Sequence, residues 1–182
     1  LITTLLACAV GLPLIAYGGW EMILVGLACV VFCFLYTISF SYLGLGDVLV
    51  LVFFGLVPVC MTYWLVAPPT PLTSIPVPVI VLSLACGLEI DTLLVVNNYR
   101  DIDNDRRAGK KTLIVRMGRE RAEQLYGWLG NIATYMMWGC LVLGDSSFVL
   151  MLVCFACFVP YALLHGATRV QMRRIGRGRE LN

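Results

Sequence analysis

Residues 75–118 read IPVPVIVLSLACGLEIDTLLVVNNYRDIDNDRRAGKKTLIVRMG. The first half, as far as about Asn97, is long enough and apolar enough to cross a bilayer, which takes about 20 residues as a helix. The second half sets Asp101, Asp103 and Asp105 among Arg100, Arg106, Arg107, Lys110, Lys111 and Arg116. An apolar stretch of that length running straight into a charged one is the pattern of a chain that leaves lipid for water. It predicts an all-α, polytopic bundle of transmembrane helices.

The rest of the chain repeats the apolar half of the pattern. Stretches at 1–17, 21–37, 47–66, 122–143 and 146–165 join 75–97 to predict about six spanning helices. Turn residues separate them: Gly18-Gly19, Gly44-Leu45-Gly46-Asp47, Pro68-Pro69-Thr70-Pro71 and Gly144-Asp145-Ser146-Ser147. The 182 residues are 60% hydrophobic and 13% charged, where a soluble domain carries about 25% charged residues. Short strands of alternating polarity, the signature of a membrane barrel, are absent from the sequence. One domain is expected over 1–182, with a charged segment at about 97–120 and a basic tail at about 166–182. No nucleic-acid partner is expected; the bilayer itself is the environment the composition fits.

Charge placement predicts the orientation. All 13 Lys and Arg residues fall between the fourth and fifth apolar stretches, at the start of the fifth, or after the sixth. In a six-helix reading these regions share one side, and an excess of Lys and Arg marks that side as cytoplasmic. The expected location is therefore the inner (plasma) membrane, multi-pass, with the Asp-rich segment and residue 1 facing the cytoplasm. Arg169, Arg173, Arg174, Arg177 and Arg179 are read as an anchor at anionic headgroups. The sequence opens on Leu1 and stops just past this tail, so further residues are expected at both ends.

Asn97, Asp101 and Asp105 recur every four residues. If the helix continues past the membrane they lie on one side, successive turns about 5.4 Å apart. Carboxylates packed this closely repel unless a cation sits among them. Magnesium takes oxygen ligands, commonly one or two carboxylates completed by water and phosphate, and the neighbouring basic groups suit a polyanion. The bland alternative is a solvated segment that merely fixes topology; it accounts for the Lys and Arg residues but not for the Asn/Asp register. A calcium loop counted from Asp101 would need Gly and Glu where Arg106 and Thr112 stand. Glu89 and Asp91 lie inside an apolar stretch, where carboxylates face a cavity or a partner helix. Asp91 and Asn98 are seven apart and share a face, so either reading stays open. The eight cysteines lie in apolar runs with a lone histidine, His165, and are read as small hydrophobes.

The string from Asn97 to Asp105, followed by Gly109 to Gly118, resembles the second aspartate-rich motif of the UbiA superfamily of membrane prenyltransferases. It is most similar to the form in the 1,4-dihydroxy-2-naphthoate polyprenyltransferase branch. Tyr36-Thr37, the run Tyr42 to Asp47, and Phe54-Gly55 resemble the connection between that family's fourth and fifth helices, with only Ile38 to Ser41 between the Tyr-Thr pair and Tyr42. The resemblance implies helices three to eight of a nine-helix fold, without the first aspartate-rich motif or the last helix. It implies that Asp101 and Asp105, assisted by Asn97, ligate Mg2+, and that Arg100 and Lys110 contact the diphosphate. It places Asn98, Tyr36, Tyr42, Asp47 and Asp91 at substrate. The implied reaction moves a polyprenyl group from polyprenyl diphosphate to 1,4-dihydroxy-2-naphthoate, releasing diphosphate and CO2 to give demethylmenaquinone in menaquinone biosynthesis. The 182 residues alone are expected to be inactive. Three alternatives remain at this point: a related transferase using 4-hydroxybenzoate, homogentisate or a porphyrin alcohol, a small transporter or ion-binding bundle built on Glu89 and Asp91, and a purely structural subunit.

Overall fold

Pro13 breaks the first apolar stretch in two. A computed structural model describes residues 2–35, 41–67, 74–144 and 147–180 of the chain, and no strand occurs among them. Helices α1 (Ile2–Gly11) and α2 (Leu14–Gly18) flank the proline, which supplies no backbone N–H. Helix α3 spans Glu21–Leu35, 15 residues. These pieces are shorter than the two spans expected at 1–17 and 21–37. Three helices are long and apolar enough to cross a membrane: Gly46–Val66, Val77–Arg107 and Phe148–Gly178. The protein is thus an all-α, multi-pass membrane bundle, with fewer full-length spans among the described residues than the sequence predicted. Tyr36, the Pro68–Pro71 turn and the Asp145-Ser146 turn lie outside the described residues.

After the short α4 (Ser41–Leu43), the next span is continuous but not uniform: α5 (Gly46–Val50), a π-helical segment Leu51–Leu56, and α6 (Val57–Val66). Pro58 stands just beyond the π segment. Its ring and missing N–H disturb the bonds of the preceding turn, which widens to accommodate them. Helix α7 (Val77–Arg107) begins on Pro76 with Pro78 in its first turn, a position where the absent N–H costs nothing. Its 31 residues reach about 46 Å at 1.5 Å per residue, against a hydrocarbon core of about 30 Å. The conditional reading of the sequence therefore holds: the spanning helix carries on through Asp101 and Asp105.

Helix α8 (Leu113–Met117) is a single turn, and α9 (Arg119–Leu143) follows directly. Helix α10 (Phe148–Glu180) runs 33 residues, so the sixth apolar stretch and most of the basic tail form one helix. Helix α7 is the hub, packing against α9, the π segment, α6, α8 and α5, while α10 packs on α9. The buried cluster of Val95, Tyr99, Ile102, Ile114, Ala122 and Tyr126 sits at the charged end of the bundle. Most of the remaining apolar surface, including the outer side of α3, faces outward, as lipid contact requires. None of the eight cysteines is in a disulfide, and only Cys60 is buried.

Candidate active site

Two glycines decide how the α5–α6 span meets α7. A β-carbon on Gly55 would lie 2.5 Å from the Ser83 carbonyl oxygen and 2.7 Å from Gly87 Cα; one on Gly87 would lie 3.0 Å from the Leu51 carbonyl oxygen. The backbones are therefore in direct contact, the kind of approach that small residues permit between membrane helices. This crossing sets Gly55 on Ser83 and Leu51 on Gly87. One turn further, Asp47 faces Asp91, near enough for the two carboxylates to repel. Asp91 is 5% exposed. Asp47 Oδ1 and Asp91 Oδ1 are both buried without a hydrogen-bond partner. Glu89 points to the other flank of α7, toward Tyr161 of α10.

At the charged end, α7 stops at Ala108, and Gly109 turns the chain back with φ +72°, a conformation glycine adopts without strain. The reversal lets the Lys110 N–H donate to the Asp105 carbonyl at 2.9 Å. The Lys110 ammonium then meets Asp105 Oδ1 at 3.0 Å and stands 5.9 Å from the centroid of the Tyr42 ring. The segment is tied to the α4 turn: the Lys111 N–H donates to the Tyr42 carbonyl at 2.9 Å, and Arg116 donates to the Leu43 carbonyl at 2.8 Å. Thr112 caps α8, its hydroxyl accepting the Val115 N–H at 3.2 Å.

Two cavities adjoin here, and Leu94 lines both. One is polar and small, about 70 Å³, lined by Gly44, Gly46, Asp47, Asn98, Asp105, Lys110 and Thr112 besides Leu94. The other is an apolar groove of about 470 Å³ between α3, α5, the π segment and α7. Phe32, Phe53, Phe54, Leu49 and Leu93 line it, and Asn97 closes it at the polar end. The geometry is amphiphilic: an apolar trough beside a charged pocket, with Leu94 lining both.

The sequence-predicted residues divide between these two places. Asp47, Asn98, Asp105 and Lys110 share the pocket, and Tyr42 touches it through Lys110. Asn97 lines the groove. Asp101 lines neither; it is 42% exposed and bonds both oxygens to Arg100, which is 64% exposed. Asp103 pairs with Arg119 at 2.7 Å, sixteen positions on. Asp91 lies beneath the pocket, against Asp47. Sequence reasoning missed Gly44, Gly46 and Thr112 as pocket residues and the phenylalanines of the groove. Gly44, Gly46 and Phe54 stood in the runs that carry the resemblance without being given a site role, and Thr112 left a signal of its own, a threonine just ahead of an apolar run.

The oxygen donors that line the pocket are the carboxylates of Asp47 and Asp105 and the amide of Asn98, while Asn97 lines the groove and Asp101 bonds Arg100. Among the described residues no three His, Cys, Asp or Glu side chains cluster into a ready-made cage. Magnesium does not require one, since it is held by one or two carboxylates with substrate phosphate and water. The pocket's own oxygens, from Asp47, Asp105 and Asn98, fit a cation bridged to a phosphate, not one enclosed by protein alone.

The family model described as the UbiA prenyltransferase family matches residues 1–180. The chain is similar to the 1,4-dihydroxy-2-naphthoate octaprenyltransferase of Escherichia coli (strain K12), 34% identical over 172 residues, which is 90% of this chain and 48% of that protein. It is similar to the protein of the same name in Mycobacterium tuberculosis (strain ATCC 25618 / H37Rv), 35% identical over 157 residues, 85% of this chain and 49% of that one. The one in Haemophilus influenzae (strain ATCC 51907 / DSM 11121 / KW20 / Rd) is 40% identical over 123 residues, 66% of this chain and 37% of its own. The chain spans half or less of the length of these curated relatives. No solved structure gives a significant match.

Proposed function

This chain belongs to the UbiA prenyltransferase family, and on that premise we propose that it transfers a polyprenyl group from polyprenyl diphosphate to 1,4-dihydroxy-2-naphthoate, releasing diphosphate and CO2. The observation that carries this reading is an apolar trough and a charged pocket lying side by side, with Leu94 lining both. A prenyl diphosphate has that same shape, an apolar chain ending in a polyanion. The aromatic acceptor is taken from the name that the three relatives above share, 1,4-dihydroxy-2-naphthoate octaprenyltransferase.

The residues divide the work. The groove of Phe32, Phe53, Phe54 and Leu93 takes the chain and keeps water from the allylic carbon as the C–O bond to the diphosphate breaks. Aromatic faces there favour the positive charge that develops. Lys110 and Arg100 bind the diphosphate as negative charge builds on its leaving oxygen. Asp101, Asp105 and Asn97 would hold Mg2+, which when bound supplies further neutralisation of the departing diphosphate. Tyr42, Asp47 and Asn98, with Asp91 behind them, border the place for the ring. The ring carbon bonds the allylic carbon, and the pair that held its carboxylate restores aromaticity as CO2 leaves. The Asp-rich end of α7 faces the cytoplasm in this reading, with the protein in the plasma membrane.

The test is Mg2+-dependent binding of a prenyl diphosphate to the chain in detergent, beside Asp101→Ala and Asp105→Ala. Binding that requires Mg2+ and is lost in both variants is the expected result. Binding indifferent to Mg2+ or to both substitutions would sink the proposal. Displacement of a bound hydroxynaphthoate by 4-hydroxybenzoate at equal concentration would move the acceptor to another branch.

A further inference from the structure

Asp105 presents an electrostatic problem that its own surroundings solve. It is 6% exposed, and a buried carboxylate without a partner is strongly unfavourable. Its partner is Lys110, at 3.0 Å. The other carboxylates of the motif are served differently. Asp101 and Arg100 are neighbours in sequence and both solvent-exposed, so their pairing is weak. Asp103 is held by Arg119, whose side chain is only 13% exposed. Among these three pairs, only Asp105–Lys110 lies in the pocket.

Lys110 is suited to letting go. An ammonium is a point charge with three freely rotating donors, whereas a guanidinium grips a carboxylate through a planar fork. The lysine backbone is fixed by its bond to the Asp105 carbonyl, while its side chain remains one-third exposed. A second resting place stands beside it, the half-exposed ring of Tyr42, 5.9 Å from the ammonium. An ammonium over a tyrosine face is attracted by the ring quadrupole. The side chain therefore has somewhere to go within the same pocket.

We propose that Lys110 is a built-in counter-ion that holds the divalent cation's place at Asp105 and gives it up when a diphosphate enters the pocket. In that exchange the ammonium moves from carboxylate to diphosphate, steadied by Tyr42, and Asp105 becomes available as a ligand. A divalent cation alone competes with Lys110 and binds weakly; a cation arriving with diphosphate does not. The identity of the anion rests on the transferase reading, but the competition at Asp105 rests on the ion pair alone.

The experiment measures Mn2+ binding to the whole 182-residue chain in detergent by electron paramagnetic resonance, with and without inorganic diphosphate. Without diphosphate, Lys110→Met is expected to bind Mn2+ about tenfold more tightly than the unmodified chain, within the usual range for coupled sites. Lys110→Gln, which keeps a polar head, is expected to gain similarly, while Lys110→Arg keeps the charge and gains nothing. Adding Asp105→Asn to Lys110→Met is expected to remove the gain. Diphosphate should raise Mn2+ affinity by a larger factor in the unmodified chain than in Lys110→Met. Unchanged or weaker Mn2+ binding in both Lys110→Met and Lys110→Gln overturns the proposal, whatever diphosphate does. If diphosphate has no effect on the unmodified chain while the two variants gain, the counter-ion stands and the transferase reading falls.

Discussion

Substituting Gly55 by alanine tests the whole placement of the site. The added β-carbon would stand 2.5 Å from the Ser83 carbonyl oxygen, 2.7 Å from Gly87 Cα and 2.9 Å from Gly87 N. All three are backbone atoms and cannot swing aside, so the α5–α6 span and α7 must part by about an ångström to restore ordinary contact. Overpacking of this kind costs about 1–3 kcal/mol. For a chain of this size that lowers the midpoint of thermal unfolding by roughly 2–4 °C per kcal/mol. The measurement is loss of helical circular dichroism on heating in detergent. Gly26→Ala in α3 is the control, because nothing lies within 4 Å of its β-carbon. There alanine's better helix propensity, worth about 0.5–1 kcal/mol, should leave the midpoint unchanged or higher. Equal midpoints for Gly55→Ala and Gly26→Ala would refute the close crossing, and with it the registry that brings Asp47 to Asp91.

Tyr99→Phe should destabilise by about 1–3 kcal/mol, read by the same melting curve, because the Tyr99 hydroxyl lies 2.8 Å from both Glu123 Oε1 and the Met172 carbonyl in a site only 2% exposed. Thr112→Ala removes the cap of α8 and should cost about 1 kcal/mol, visible as faster proteolysis after Lys110 or Lys111. Asp103→Asn breaks the pair with Arg119, in which Asp103 is half exposed, and should cost no more than about 1 kcal/mol; Mn2+ titration should show cation binding intact, since Asp103 lies outside the pocket.

The Asp-rich segment was legible because its charges have no place in lipid and its amides and carboxylates keep a helical spacing. What spacing could not resolve is which members converge. Four residues advance a helix by 400°, so Asn97, Asp101 and Asp105 drift by about 40° at each step. Seven residues come back to within about 20°. That is why Asn98 and Asp105 share the pocket while Asn97 turns into the groove and Asp101 toward Arg100. The pairing of Asp91 with Asp47, and the assembly of the pocket from Gly44, Gly46 and Lys110, depend on a helix crossing more than thirty residues away in sequence. No local pattern announces such contacts. The break at Pro13 was readable from the proline, but total apolar length outweighed it. The tail was read only as a charged anchor, but its arginine, glutamine and methionine residues are all good helix formers, and Arg173 secures it to Glu123 of α9 at 3.2 Å.

The unbroken run of α7 from Val77 to Arg107 acts as a ruler between the bilayer and the chemistry. Nothing flexible separates the part in hydrocarbon from the part that carries Asp105, so a change of tilt at one end becomes a change of height at the other. A thinner bilayer tilts such a helix, and a thicker one draws it upright. In the proposed function the diphosphate of the lipid substrate rides at the level of the headgroups, whereas the pocket rides on the helix. Acyl-chain length should therefore tune how well the two meet, giving a site whose affinity reports membrane thickness without any dedicated sensing domain.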